Sequence, residues 1–175
     1  MSDELTEVCG ELQALQRTRA GIIKSRVMAE NNRRAFVANT LGYSAGLDEK
    51  DRKRMFEEAD AVIASIIDKD ADHRSAVFVR AAELGIASFL HAQKATEKEM
   101  LPLVKRTPVA EWVLLPEQKG FGLLSLAVVI GETGDLRLYT NPAKLWKRLG
   151  CAPWEFGGKT QMGATWKAKG GLNAE

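Results

Sequence analysis

Gly120-Phe121-Gly122, the apolar run Leu123 to Ile130, Gly131-Glu132-Thr133-Gly134-Asp135 and Asn141-Pro142-Ala143-Lys144-Leu145-Trp146-Lys147-Arg148-Leu149 occupy most of residues 120–149. They read as turn, helix, break and helix. Glycines flank the run Leu123 to Glu132, which is far shorter than the ~20 residues that cross a bilayer. Asn141 is a helix cap with Pro142 at the first helical position, and Gly150 stands at the stop.

Working backwards, Thr107-Pro108 is a second start signal, opening a helix with Trp112, Val113 and Leu115 in its core. Upstream the chain is helical throughout. From Ser2 to Thr40 it reads as one long helix in which Leu5, Val8, Leu12, Leu15 and Ile22 form a heptad-like seam, interrupted by Arg19. Gly10 and Gly21 each weaken that helix by about 1 kcal/mol relative to Ala. The seam needs a partner helix, from this chain or from a second copy.

Gly42 to Gly46 breaks the helix. A second follows, with Asp48 as N-cap and Asp51 three residues on, and a stripe of Met55, Phe56, Ala59, Val62, Ile63, Ile66 and Ile67. A third spans about Asp72 to Met100, and Pro102 ends or kinks it. Strand signals are confined to Leu136–Tyr139. The pattern predicts an all-α fold: a helical arm or bundle over 1–104, a helix-hairpin-helix-like domain over 105–156, and a Gly/Lys-rich tail over 157–175.

The chain has 175 residues, 45% hydrophobic, with a net charge of +2. That is enough for a core and argues against wholesale disorder. The charge is unevenly spread. Between Leu12 and Leu47 stand Arg17, Arg19, Lys24, Arg26, Arg33 and Arg34 against Glu30 alone. Between Leu136 and Ala174 stand Arg137, Lys144, Lys147, Arg148, Lys159, Lys167 and Lys169 against Glu155 alone. Two basic surfaces on a near-neutral protein follow, with Arg17, Lys24, Arg33 and Arg34 on wet faces of the first helix. Cys9 and Cys151 are far apart in no metal-ligand spacing, which suits a reduced, cytoplasmic protein. No apolar leader or membrane span is visible at the acidic N-terminus.

The chemistry in these residues points to a polyanion. A Gly-x-Gly turn opening an apolar helix lets backbone N–H groups approach a phosphate, as helix-hairpin-helix elements do, and Lys119 stands just before it. The alternative is an ordinary tight turn with Phe121 plugging the core. Trp146, Trp154 and Trp166 interleave with cations, a composition suited to stacking on unpaired bases. Trp146 reads as a core residue, whereas Trp154 and Trp166 fit either role. Glu132 and Asp135 read as helix-end and turn residues rather than a catalytic pair. His73 and His91 lack a ligand set, and no nucleophile triad, P-loop or metal motif is present.

The run Gly120-Phe121-Gly122, Leu124 to Ile130, Gly131 to Asp135, Tyr139, Asn141 to Leu145 and Leu149-Gly150-Cys151-Ala152-Pro153 resembles the C-terminal domain of the DEDD-type insertion-sequence transposases. That family is associated with bridge-RNA-guided recombination. Gly157 to Gly163 and Lys167-Ala168-Lys169-Gly170 look like its glycine-rich stretch and Thr-Lys-x-Gly element. Leu12 to Arg34 is similar to the coiled-coil arm that precedes the domain. Gln118 and Lys119 stand where the family has an apolar residue and Pro. Pro153 to Gly158 contains no Ser where its nucleophile is expected, and the chain has no room for its metal-binding nuclease half.

The resemblance implies a truncated or domesticated transposase derivative that binds DNA, or else structured RNA, without cutting it, and with no cofactor or metal. Its contacts would be Lys119, Gly120, Phe121 and Gly122 at the hairpin, Lys144, Lys147, Arg148, Lys159, Lys167 and Lys169 beyond it, and Arg17, Lys24, Arg26, Arg33 and Arg34 on the arm. The long helix would support a homodimer. An active recombinase and a helical protein-interaction module are the alternatives.

Overall fold

A computed structural model of the protein describes residues 2–115, 120–149, 154–156 and 159–161. The fold is all-α: α1 (Ser2–Thr40), α2 (Glu49–Lys69), α3 (Ala76–Lys105), α4 (Ala110–Val113), α5 (Leu123–Thr133), a 3-10 turn (Leu136–Leu138) and α6 (Pro142–Arg148). One small antiparallel hairpin follows, β1 (Trp154–Phe156) and β2 (Lys159–Gln161), with Trp154 opposite Gln161. The contacts divide the chain into two compact units, Met1–Arg17 with Glu97–Glu175, and Thr18–Thr96. This division differs from one at 104/105, because α1 and α3 are long enough to contribute to both units.

In the first unit the heptad-like seam is covered by this chain itself. Val8 and Leu12 are fully buried, and they form a core with Cys9, Met100, Val104, Val113, Leu126 and Ile130. Leu5 and Leu15 pack on its edge. Gly131 sets how closely α5 meets α1. A Cβ there would stand 2.4 Å from the Gln16 Cβ, a distance no real side chain tolerates. The end of α5 is fastened by Thr133, whose hydroxyl donates to the Val129 carbonyl at 2.7 Å, and by Tyr139, whose hydroxyl donates to the Thr133 carbonyl at 2.9 Å.

The second unit has its own core of Val37, Ala38, Ala59, Ile63, Ile66, Ala76 and Val79. Asp48 caps α2, accepting from the Asp51 N–H at 2.8 Å. The same helix ends at Asp70 in the left-handed region, φ +52°, which Asp tolerates better than most residues.

Several local expectations are corrected. α3 starts at Ala76, not Asp72, because His73 organises the turn before it: its Nδ1 accepts from the Ser75 N–H at 3.1 Å, and its carbonyl from the Ala76 N–H at 2.8 Å. It also runs through Pro102 to Lys105. An interior proline costs about 3 kcal/mol, but Met100 and Val104 on either side are fully buried and hold that turn helical. Thr107 does not cap a helix beginning at Pro108. Its hydroxyl donates backwards to the Val104 carbonyl at 2.7 Å, and α4 begins at Ala110. Leu136–Leu138 is a 3-10 turn rather than a strand, because Asp135 accepts from the Arg137 N–H at 2.9 Å and closes the chain.

Candidate nucleic-acid interface

The bend that opens α5 is built from two glycines with different tasks. Gly120 sits at φ +86°, where a side chain is strained, and turns the chain. Gly122 is extended, φ −99° and ψ 177°, and serves as the N-cap without a side chain to accept from the helix. The first N–H groups of any helix lack intrahelical acceptors. A Cβ added at Gly120 or Gly122 would meet nothing within 4 Å beyond the glycine's own chain neighbours. Both glycines are exposed, whereas Phe121 is half-buried against the core of the first unit. The Phe121 ring anchors the bend, while the glycines on either side of it are exposed. Lys119 lies outside the described residues, as do Lys167 and Lys169. Lys159 opens β2, and its side chain is outside them too.

α6 forms because Asn141 accepts from the Lys144 N–H at 3.0 Å and Pro142 presets the first turn. Leu145 and Leu149, four residues apart, lie on one side of the helix and are half-buried. Lys144, Lys147 and Arg148 share another face, three and four residues apart, and all are exposed. Among the described residues none of these three has an acidic partner, and no acid stands between Leu136 and Leu149. Lys147 and Arg148 also fall in the last turn, where the helix dipole favours cations.

Trp146 does not enter the core as expected; it is 51% exposed. None of the side chains of α6 is fully buried. Trp112 and Leu115 are corrected likewise: both are exposed, and Val113 alone of the expected trio is buried. α4, only four residues long, turns one side chain inward besides Ala110.

The arm looks different. Arg33 and Arg34 are half-buried rather than on wet faces. Arg33 pairs with Glu83, and Arg34 pairs with Asp60 at 2.6 Å while its guanidinium lies 4.9 Å over the Phe56 ring. Arg26 pairs with Glu30 at 3.0 Å. Arg17 and Lys24 are exposed, with no ion-pair partner among the described residues. The acids that engage Arg33 and Arg34 come from α2 and α3, so the sequence around the arginines carried no sign of them.

Asp135 is held by Arg137, whose Nε and Nη2 donate to its two carboxylate oxygens at 3.0 and 2.5 Å. Those hydrogen bonds hold the carboxyl below the usual carboxylate range. Glu132 accepts from the Gln16 side chain at 2.9 Å. Both acids thus have structural tasks. Burial pushes the Cys9 thiol up, away from the reactive thiolate. Among the described residues no group of three or more His, Cys, Asp or Glu could hold a metal ion. None of their helices is long and apolar enough to cross a membrane. No family model, no curated protein and no solved structure matches the chain.

Proposed function

We propose that this chain is a nucleic-acid-binding protein of the cytoplasm, related to the C-terminal domain of the transposases it resembles, and that it holds DNA through non-covalent phosphate contacts. The observation that carries this reading is the bend at the exposed glycines Gly120 and Gly122 at the start of α5, together with a cationic face on α6 that has no acidic partner among the described residues. Backbone amides and a helix N-terminus favour an anion, and lysines and arginine neutralise its neighbours. Structured RNA presents the same phosphates and is the second ligand in this reading.

Gly122→Asp separates binding from folding. The position is extended and roomy, so Asp fits and supplies the missing helix cap. The variant should melt no lower than the parent yet lose most of its DNA affinity, because a carboxylate now occupies the anion site. Wild-type affinity should fall steeply with salt as condensed counterions are released. Unchanged binding by Gly122→Asp, or binding indifferent to salt, refutes the proposal.

A helical interaction module is the second reading, favoured by the outer face of α3. Val77 is 81% and Leu84 73% exposed, and Ala81 and Ser88 continue the stripe at heptad-like spacing. A homodimer would use this face or the exposed Met28 on α1, since Leu5 to Leu15 already pack within the chain. Leu84→Lys should then abolish concentration-dependent sedimentation and leave DNA binding intact.

A further inference from the structure

The first unit holds a cavity of about 170 Å³ between α1, the turn from α3 into α4, the end of α5 and the 3-10 turn after it. Cys9, Thr107 and Ile130, all buried, form its inner end, and Leu5, Val109 and Leu136 are its half-buried walls. Leu5 and Cys9 stand four residues apart and so share one side of α1. Protein interiors leave few voids larger than a water molecule, so a space of this size exceeds ordinary packing slack. Water is a poor occupant of it. A held water needs about two to four polar partners, and the lining offers few. The Thr107 hydroxyl already donates to the Val104 carbonyl, and both carboxylate oxygens of Asp135 accept from Arg137. Cys9 adds only a weak thiol donor.

The charges that line it cancel. Asp135 and Arg137 border the cavity as a pair. Glu4 and Arg106, which precede the lining residues Leu5 and Thr107, pair with each other at 3.0 Å. An ionic guest would therefore meet apolar walls and no unengaged counter-charge among the lining residues, which is costly for an ion. The volume sets the size of the guest, since an apolar cavity of about 150 Å³ takes benzene. We propose that this cavity is a binding site for a compact, uncharged aromatic molecule of about six to nine heavy atoms. Val109 and Leu136 stand on its walls, so bulk added at either position takes volume from it. The proposal is independent of the nucleic-acid reading, because it uses neither the glycine bend nor α6.

The test titrates the full chain with two neutral probes, toluene and indole, and two charged ones, benzoate and benzylammonium. Binding is read by thermal melting and by amide proton–nitrogen correlation spectra. A neutral probe at about ten times its Kd should raise Tm by about 3–5 °C. The amide signals of Cys9, Ile130 and Leu136 should move with it. The charged probes should leave both readouts unchanged. Val109→Phe and Leu136→Trp should each abolish the rise by occupying the volume. If Val109→Phe does not fold, Leu136→Trp at the outer turn decides. The proposal is overturned if neither toluene nor indole raises Tm, if the filled variants that fold bind the probes as well as the parent, or if a charged probe binds as tightly as a neutral one. Each of these results holds whether or not the chain binds DNA.

Discussion

The second half of α1 and the short helix α6 carry the same kind of sequence, runs of cations with few acids nearby, and fold to opposite ends. On α1, Arg26, Arg33 and Arg34 are each engaged by a carboxylate, and Arg34 also covers an aromatic ring. On α6, Lys144, Lys147 and Arg148 stand exposed, with no acidic partner among the described residues. A basic run is therefore not a binding surface in itself. What matters is whether the fold delivers carboxylates to it. Engaged arginines stabilise packing, and unengaged ones leave a positive field for a ligand.

The largest effect should come from removing the free set. Replacing Lys144, Lys147 and Arg148 with Ala together should weaken duplex binding about a hundredfold and flatten the salt slope by about 2–3. The melting temperature should scarcely move, since these side chains touch solvent. If the triple variant binds as tightly as the parent, the contrast between the two regions has no functional meaning.

A smaller effect should appear on the engaged set, in stability rather than binding. A double-mutant cycle on Arg33 and Glu83 should give a coupling of about 1–2 kcal/mol by chemical denaturation, since Arg33 is only 16% exposed. The more exposed Arg26–Glu30 pair, four residues apart on one helix, should give about 0.3–0.5 kcal/mol. DNA affinity should be unchanged in both cycles. A loss of affinity in Arg33→Ala would return the arm to the ligand.

The smallest effect separates an engaged cation within the first unit from its free neighbours. Asp135→Asn should cost about 1 kcal/mol at neutral pH by weakening the turn and releasing Arg137. Asp135 has a depressed folded pKa, so its contribution is present above the ordinary Asp value of about 4 and fades as pH falls through the folded value. The difference between parent and variant should therefore shrink in acid. A gap that persists at low pH would show that the turn, not the charge, is what the carboxylate supports.

Much of the architecture was legible in the chain alone. Periodicity gave α1 its full span from Ser2 to Thr40, Asp48 announced α2, and Asn141-Pro142 announced α6, because capping and amphipathic spacing are local physics. Local signals failed where distant burial outweighed them. Pro102 stayed helical because Met100 and Val104 are locked in a core, and Thr107 turned its hydroxyl back to Val104 instead of forward. The Gly120–Gly122 bend could be read as a bend. The exposure of its two glycines could not, because that depends on which side chains reach it.

Local sequence by itself determined the span of α1, the starts of α2 and α6, and which cations cluster. Tertiary structure alone decided which of those cations meet a carboxylate, that Trp146 and Trp112 stay in water, and that the seam from Leu5 to Leu15 closes within one chain. The physical reason is range. A helix responds to residues three and four positions away, whereas charge pairing and burial are settled by groups brought together from far along the chain.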